Sequence, residues 1–407
     1  MNKLPRSAYI HIPFCHRRCF YCDFVVIPLG DKIEPLEGYG SKTVRDYLYY
    51  LNKEILSIKH KSPLSTIYFG GGTPSILDPQ QIKELIILFR ENFGIDYGAE
   101  ITMEIDPASF DENDLYEFIK SGINRFSLGA QSFNNEILKY AGRRHLGKDV
   151  ERSCLWLKKA YESGYIKTWS LDLIQNLPLC NSLEWQDDLI KTLKFCPPHV
   201  SIYDLNIESG TVFKKLFDSG KLSIPNENTV YKNMESTNLI LKSSGYSRYE
   251  ISNYCLPGHQ SRHNRVYWSG SGWWGFGQGS TSSPWGMKLT RPRTSKQYKE
   301  WVIDQCANGL DSSLTSNDKS YKELDEQIML GMRLKEGVNI YKLFEEQNWD
   351  KNKVDINFRN LIKKWERFLD SGLLIKRENR FFLSDPEGME LSNQILVSMF
   401  RWWDQIN

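Results

Sequence analysis

Short apolar runs alternate with stretches of helical periodicity from near the start of the chain to about residue 255. The runs fall at 9–13, 66–69, 100–105, 125–129, 169–174 and 200–205. Between and after them, helical patterns fall at 43–60, around Ile82, Leu85, Ile86 and Phe89, and at 115–121, 147–163, 183–194 and 227–243. Asp78 before Pro79 is an N-cap ahead of a first-turn proline. Repeated strand–helix units predict parallel strands with helices outside. Six of them predict an α/β fold, a partial (βα)6 barrel of the TIM type. In such a barrel the chemistry gathers at the carboxyl ends of the strands.

The strand ends are where the reactive residue types occur. Just after the first run stand Cys15, Cys19 and Cys22, separated by three and then two residues. Three thiolates hold three irons of a 4Fe–4S cluster and leave the fourth iron open. An open position is what a catalytic metal centre keeps and a closed structural site lacks. Asp23 and Phe24 follow, with no fourth cysteine nearby. A zinc knuckle is the alternative, because His11 and His16 are close in sequence. The second run leads into Gly70-Gly71-Gly72-Thr73-Pro74-Ser75, whose glycines let backbone approach a ligand and offer amide groups. A plain structural turn explains the same glycines.

Glu104 ends the third run, Gln131 follows the fourth, and Arg143 lies in Gly142-Arg143-Arg144-His145. Asp172 interrupts an apolar strand, and a buried carboxylate needs a partner. Taken singly, each reads equally as a structural ion pair or cap.

Composition bounds the rest. A chain of 407 residues with 25% charged residues and a net charge of +2 suits a globular protein of two unequal domains, not a basic nucleic-acid binder. The remaining cysteines, Cys154, Cys180, Cys196, Cys255 and Cys306, are scattered singly, as in a reducing compartment. No apolar run is long enough to span a membrane, and no cleavage-site pattern marks a signal peptide, so a cytoplasmic location is expected. Residues 270–286 mix glycines with Trp273, Trp274, Phe276 and Trp285 and read as a tight loop. Near the C-terminus, Phe358, Leu361, Ile362, Trp365, Phe368 and Leu369 form one apolar helical stripe that Gly372 ends. Residues 373–376 and 381–383 flank a Glu378-Asn379 turn, a hairpin signal. Helices followed by a small hairpin predict an α+β, winged-helix-like module without a dense basic helix. The expected division is 1–255 for the barrel, 256–320 for a connecting segment, and 321–407 for the C-terminal domain.

The cysteine spacing, the glycine element and the strand-end residues together resemble the radical S-adenosylmethionine (SAM) superfamily, and within it the coproporphyrinogen III oxidase-like group. The resemblance runs over nearly the whole chain. It implies that Cys15, Cys19 and Cys22 bind a 4Fe–4S cluster. SAM then chelates the open iron and is cleaved to methionine and a 5′-deoxyadenosyl radical. It further implies SAM contacts from Tyr9, Tyr21, Gly71, Gly72, Thr73, Glu104, Gln131, Arg143 and Asp172. The segment from Arg143 to Asp172 is a few residues longer than the family pattern.

Two features resemble the HemW heme chaperone family rather than the oxidases. The oxidases carry a further cysteine two residues after the third cluster cysteine, where this chain has Phe24, and an N-terminal extension, where 14 residues precede Cys15 here. HemW proteins carry an HNxxYW element, and here His263-Asn264-Arg265-Val266-Tyr267-Trp268 matches it. The resemblance implies heme contacts from His263, Asn264, Tyr267 and Trp268, with His259 and Cys255 as rival iron ligands. It also implies heme as cargo, acceptor hemoproteins and a reductant protein as partners, and a homodimer. An oxygen-independent coproporphyrinogen III oxidase is the alternative of the same framework. A cluster-bearing nucleic-acid regulator leaves the SAM-type residues without a role.

Overall fold

A computed structural model describes residues 4–30, 41–308 and 323–406. Part of the Pro- and Gly-rich loop at 25–42, and residues 309–322 of the connecting segment, lie outside the described residues. The chain forms two compact units, 1–233 with 272–320, and 234–271 with 321–407.

In the first unit, strands β1 (Ser7–Ile12), β2 (Leu64–Gly71), β3 (Ile95–Ile105), β4 (Arg125–Gln131), β5 (Thr168–Gln175) and β6 (His199–Asp204) pair in sequence order, every neighbour parallel. Between them lie α1 (Lys42–Ser57), α2 (Pro79–Asn92), α3 (Glu112–Ser121), α4 (Asn135–Tyr140), α5 (Gly147–Glu162) and α6 (Ser182–Phe195). Near-continuous apolar runs form these strands because both faces are covered: Ile10, Ile67, Phe69, Met103, Phe126, Leu128, Trp169 and Leu171 are all fully buried. Asp78 caps α2 and shares a capping box with Gln81. The fold is the α/β, partial TIM-type barrel that the alternation predicts.

One strand was not legible in the sequence. Trp274–Phe276, inside the stretch expected to be a loop, pairs parallel with β1 as β7 (Trp274↔Ala8, Phe276↔Ile10). On its other side Gly275 lets the 281–282 segment pack close, because a side-chain carbon there would sit 2.3 Å from the Thr281 carbonyl. The pairing with β1 returns the chain to the first unit, so the two compact units interleave along the sequence.

The second unit has its own core of Ile328, Phe344, Leu361, Trp365, Phe381, Met399 and Trp402. The expected stripe is the helix Lys351–Asp370, followed by Gly372 at φ 74°. The expected hairpin is present as Leu374–Arg377 and Arg380–Leu383, with Glu378 at φ 54° in its turn, and Val338–Asn339 adds a third antiparallel strand.

Candidate functional site

At the carboxyl ends of β1 to β6, a cavity of about 340 Å³ is lined by Cys15, Cys19, Cys22, Tyr21, Gly71, Gly72, Thr73, Glu104, Gln131, Arg143 and Asp172. These eleven residues, far apart in sequence, share one site because parallel strands deliver every strand end to the same face. Ile105, Ile174 and Tyr203 supply apolar wall, Arg17, Arg18 and Arg144 supply cationic lining, and His16 adds an imidazole. Such a mixed cavity suits a ligand with both an apolar ring and charged groups.

The cysteine loop is held by hydrogen bonds of its own. Residues Phe14–Cys15 pair with Ile27–Pro28, the Cys22 amide donates to the Cys19 carbonyl at 3.2 Å, and Arg18 Nε donates to the Cys22 carbonyl at 3.0 Å. Its base is tied to the glycine element: Gly72 N donates to Ile12 O (2.8 Å) and Thr73 N to Phe14 O (2.7 Å). Thr73 Oγ1 donates to Cys15 Sγ at 3.6 Å, and Arg143 Nη1 to Cys19 Sγ at 3.3 Å. Burial pushes the Cys15 thiol up to about 12 and raises Cys22 as well. Buried thiolates of this kind need a cation, and bound iron supplies it. Three thiols on one short loop suit a cubane, whose irons each take one thiolate. His11, the nearby imidazole, faces other partners, with Nδ1 3.1 Å from Tyr9 Oη and Nε2 2.7 Å from the Val25 carbonyl.

Each remaining wall residue has a definable state. Glu104 accepts from Gly71 N (3.0 Å) and Tyr68 Oη (2.9 Å), and burial, with Asp172 nearby, raises its pKa to about 7. Asp172 finds its partners in the hydroxyls of Ser127 and Ser170, both at 2.7 Å. Gln131 sits at φ 63°, a strained conformation for this residue type, where the register between β4 and β5 shifts. Its Oε1 is buried without a hydrogen-bond partner, as is Arg143 Nε. Buried orphans cost free energy unless a ligand answers them. Gly72 leaves no room for a side chain, which would lie 2.6 Å from Phe14 O. These features fit a cofactor with an ammonium, a carboxylate and hydroxyl groups.

Tyr9 is not on the cavity wall. Its ring stacks on Tyr68 at 6.1 Å between centroids, and its hydroxyl meets His11. Conversely, sequence reading passed over Asp106, Tyr203 and the two serines that hold Asp172. Asp106 was findable, because it follows Glu104 by two residues and therefore shares its strand face.

The HNRVYW element belongs to the second unit, where it forms the helix Arg262–Trp268 capped by Ser261. His263 is fully buried, and its Nε2 is 2.9 Å from Tyr267 Oη. Trp268 bonds to the buried Glu250, and the Arg333 guanidinium lies 5.6 Å from its ring. Asn264, Tyr267 and Trp268 are half-buried. Of the rival ligands, Cys255 is buried and His259 half-buried.

Barrel and cysteine cavity together define a radical SAM protein. Residues 9–171 match the Radical SAM superfamily model, and that membership carries a 4Fe–4S cluster and SAM as cofactors. The chain is 36% identical to a heme chaperone HemW of Synechocystis sp. over 98% of this chain and 97% of the relative, and 32% identical to a heme chaperone HemW of Lactococcus lactis over the full length of both. It belongs to the HemW heme chaperone family. In fold it is similar to coproporphyrinogen III oxidase (HemN) from Escherichia coli, with a TM-score of 0.77 and 22% identity over 97% of this chain and 90% of the other. Among the described residues, no helix is long and apolar enough to cross a membrane.

Proposed function

We propose that this protein binds heme and delivers it to acceptor hemoproteins, using a radical SAM barrel as its frame. The observation that carries the reading is the end-to-end similarity to heme chaperones. Phe24 agrees with it. This residue lines the cavity at 59% exposure, at the place where the oxidases carry a further cysteine.

The cluster, when bound, supplies an electron and an open iron site to SAM. The chain's part is to hold both. Cys15, Cys19 and Cys22 present three thiolates, Thr73 and Arg143 hydrogen-bond two of those sulfurs, and Glu104, Gln131 and Asp172 offer oxygen atoms to ammonium and hydroxyl groups. A protein reductant in the cytoplasm would supply the electron, and the single thiols suit that compartment.

Heme contact falls to Asn264, Tyr267 and Trp268, whose aromatic surface suits a porphyrin face. His263 serves as iron ligand once its Nε2 leaves the Tyr267 hydroxyl, so ligation competes with an internal hydrogen bond. His259 is the rival ligand, and burial holds its imidazole below the ordinary range, which favours the neutral form that binds iron.

The test is an anaerobic assay of cluster-reconstituted protein with SAM, a reductant and coproporphyrinogen III, following porphyrin products and 5′-deoxyadenosine together. An active oxidase runs alongside. The expected result is no porphyrin conversion, with saturable heme binding and transfer to an apo-hemoprotein. Protoporphyrinogen formed over many turnovers would overturn the reading.

A further inference from the structure

We infer that Asp106 is a positioning residue that sets the SAM affinity and the electronic environment of the cluster through Arg143. Asp106 follows the end of β3, and its own orientation is fixed locally. Its amide donates to Ser75 Oγ at 3.2 Å, and its Oδ1 accepts from Ala108 N at 3.1 Å. The other oxygen, Oδ2, forms the ion pair with Arg143. Both oxygens are therefore committed to the protein, and Asp106 acts through its partner.

Arg143 is gripped along one edge. Its Nη2 donates to Asp106 and to the Gly129 carbonyl (3.0 Å), and His145 Nδ1 lies 3.3 Å away. His145 is buried, with Nε2 against the Ala130 carbonyl at 3.1 Å and Nδ1 facing both Arg143 Nη2 and, at 3.6 Å, Asp106 Oδ2. With Nη2 held by Asp106 and the Gly129 carbonyl, Nη1 is aimed at Cys19 Sγ at 3.3 Å, and Nε is left buried without a partner. An arginine on its own flexible stem keeps no such aim, because immobilising it costs rotamer entropy that a fixed fork of acceptors offsets. The same carboxylate tempers the positive charge beside the Cys19 thiolate. Each member holds the other in place, since breaking a buried pair leaves an uncompensated charge.

The inference rests on radical SAM membership and is independent of heme. The test uses the full chain, reconstituted anaerobically, with Asp106→Asn, Arg143→Gln and the double variant. Three quantities are read: iron bound per chain, SAM affinity by equilibrium dialysis, and the midpoint potential of the cluster. Asp106→Asn is expected to keep its iron, because the three cysteines are untouched. It is expected to lose SAM affinity by about ten-fold or more, the usual cost of removing an outer partner. Its potential moves positive, because a negative charge near the thiolate is gone. In the Arg143→Gln background the Asp106→Asn change adds no further loss. Unchanged SAM affinity and potential in Asp106→Asn would overturn the inference, and so would losses that add in the double variant. Should Asp106→Asn fail to fold, Asp106→Glu keeps the charge and moves it. An affinity intermediate between wild type and Arg143→Gln then supports the inference, and wild-type behaviour overturns it.

Discussion

Replacing Gly72 with alanine tests how the glycine element supports the cysteine loop. A Cβ at Gly72 would lie 2.6 Å from Phe14 O, 2.8 Å from Pro13 C and 2.9 Å from Ile12 O. All three neighbours are backbone, so no side chain can swing aside. Relief requires the segment carrying Phe14 to move, and that segment leads directly into Cys15. The move strains the bonds Gly72 N to Ile12 O and Thr73 N to Phe14 O. Two such bonds contribute about 1 kcal/mol each, and overpacking adds about 1–3 kcal/mol. A loss of roughly 3–5 kcal/mol follows. Gly164 is the control. Its φ is 74° with nothing near its absent Cβ, so Gly164→Ala pays only the left-handed backbone cost of about 1–2 kcal/mol. The assay is urea unfolding of the apo chain, followed by iron content after anaerobic reconstitution. Gly72→Ala should unfold at lower urea than Gly164→Ala and bind less iron, while Gly164→Ala binds the wild-type amount. A Gly72→Ala chain with wild-type midpoint and full iron would refute the steric argument.

Three further outcomes are expected. Glu104 has a folded pKa raised to about 7 from 4.5, so its contribution is fully present below the lower value and is lost as pH rises through the upper one; Glu104→Gln should flatten that part of the stability–pH curve, and an unchanged slope contradicts the assignment. Asp188 accepts from Ser132 Oγ at 2.6 Å and Phe133 N at 2.8 Å, directly after the strained Gln131; Asp188→Ala should cost about 1–3 kcal/mol by orphaning the Phe133 amide and should weaken SAM binding, and dialysis showing wild-type affinity would separate Asp188 from the site. His263→Ala should weaken heme binding and keep its iron, whereas Tyr267→Phe, which removes the competing hydroxyl, should strengthen it; heme titrations in which neither variant differs from wild type would exclude His263 as the ligand.

Much of the site was readable because its parts are local patterns. Cysteine spacing, consecutive glycines and a polar residue ending an apolar run are all visible within a few positions, and the partial barrel supplied the rule that strand ends converge. Tyr9, six residues before Cys15 by motif spacing, has neighbours that spacing does not reveal, the Tyr68 ring and His11. The tight loop expected at 270–286 contains an edge strand because Trp274–Phe276 finds the unpaired side of β1. No local propensity announces a partner more than 260 residues away.

From the order of residues alone came the alternation that makes parallel strands, the three-thiol ligand set, and the face on which Glu104 and Asp172 stand, since these depend on backbone period and covalent spacing. Tertiary structure decided which charge meets which. Arg143 takes Asp106 across 37 positions, and Asp172 takes Ser127 across 45. The physical reason is that a side chain's charge state and aim depend on burial and on the partners around it. Those are set by chain segments that only folding brings together.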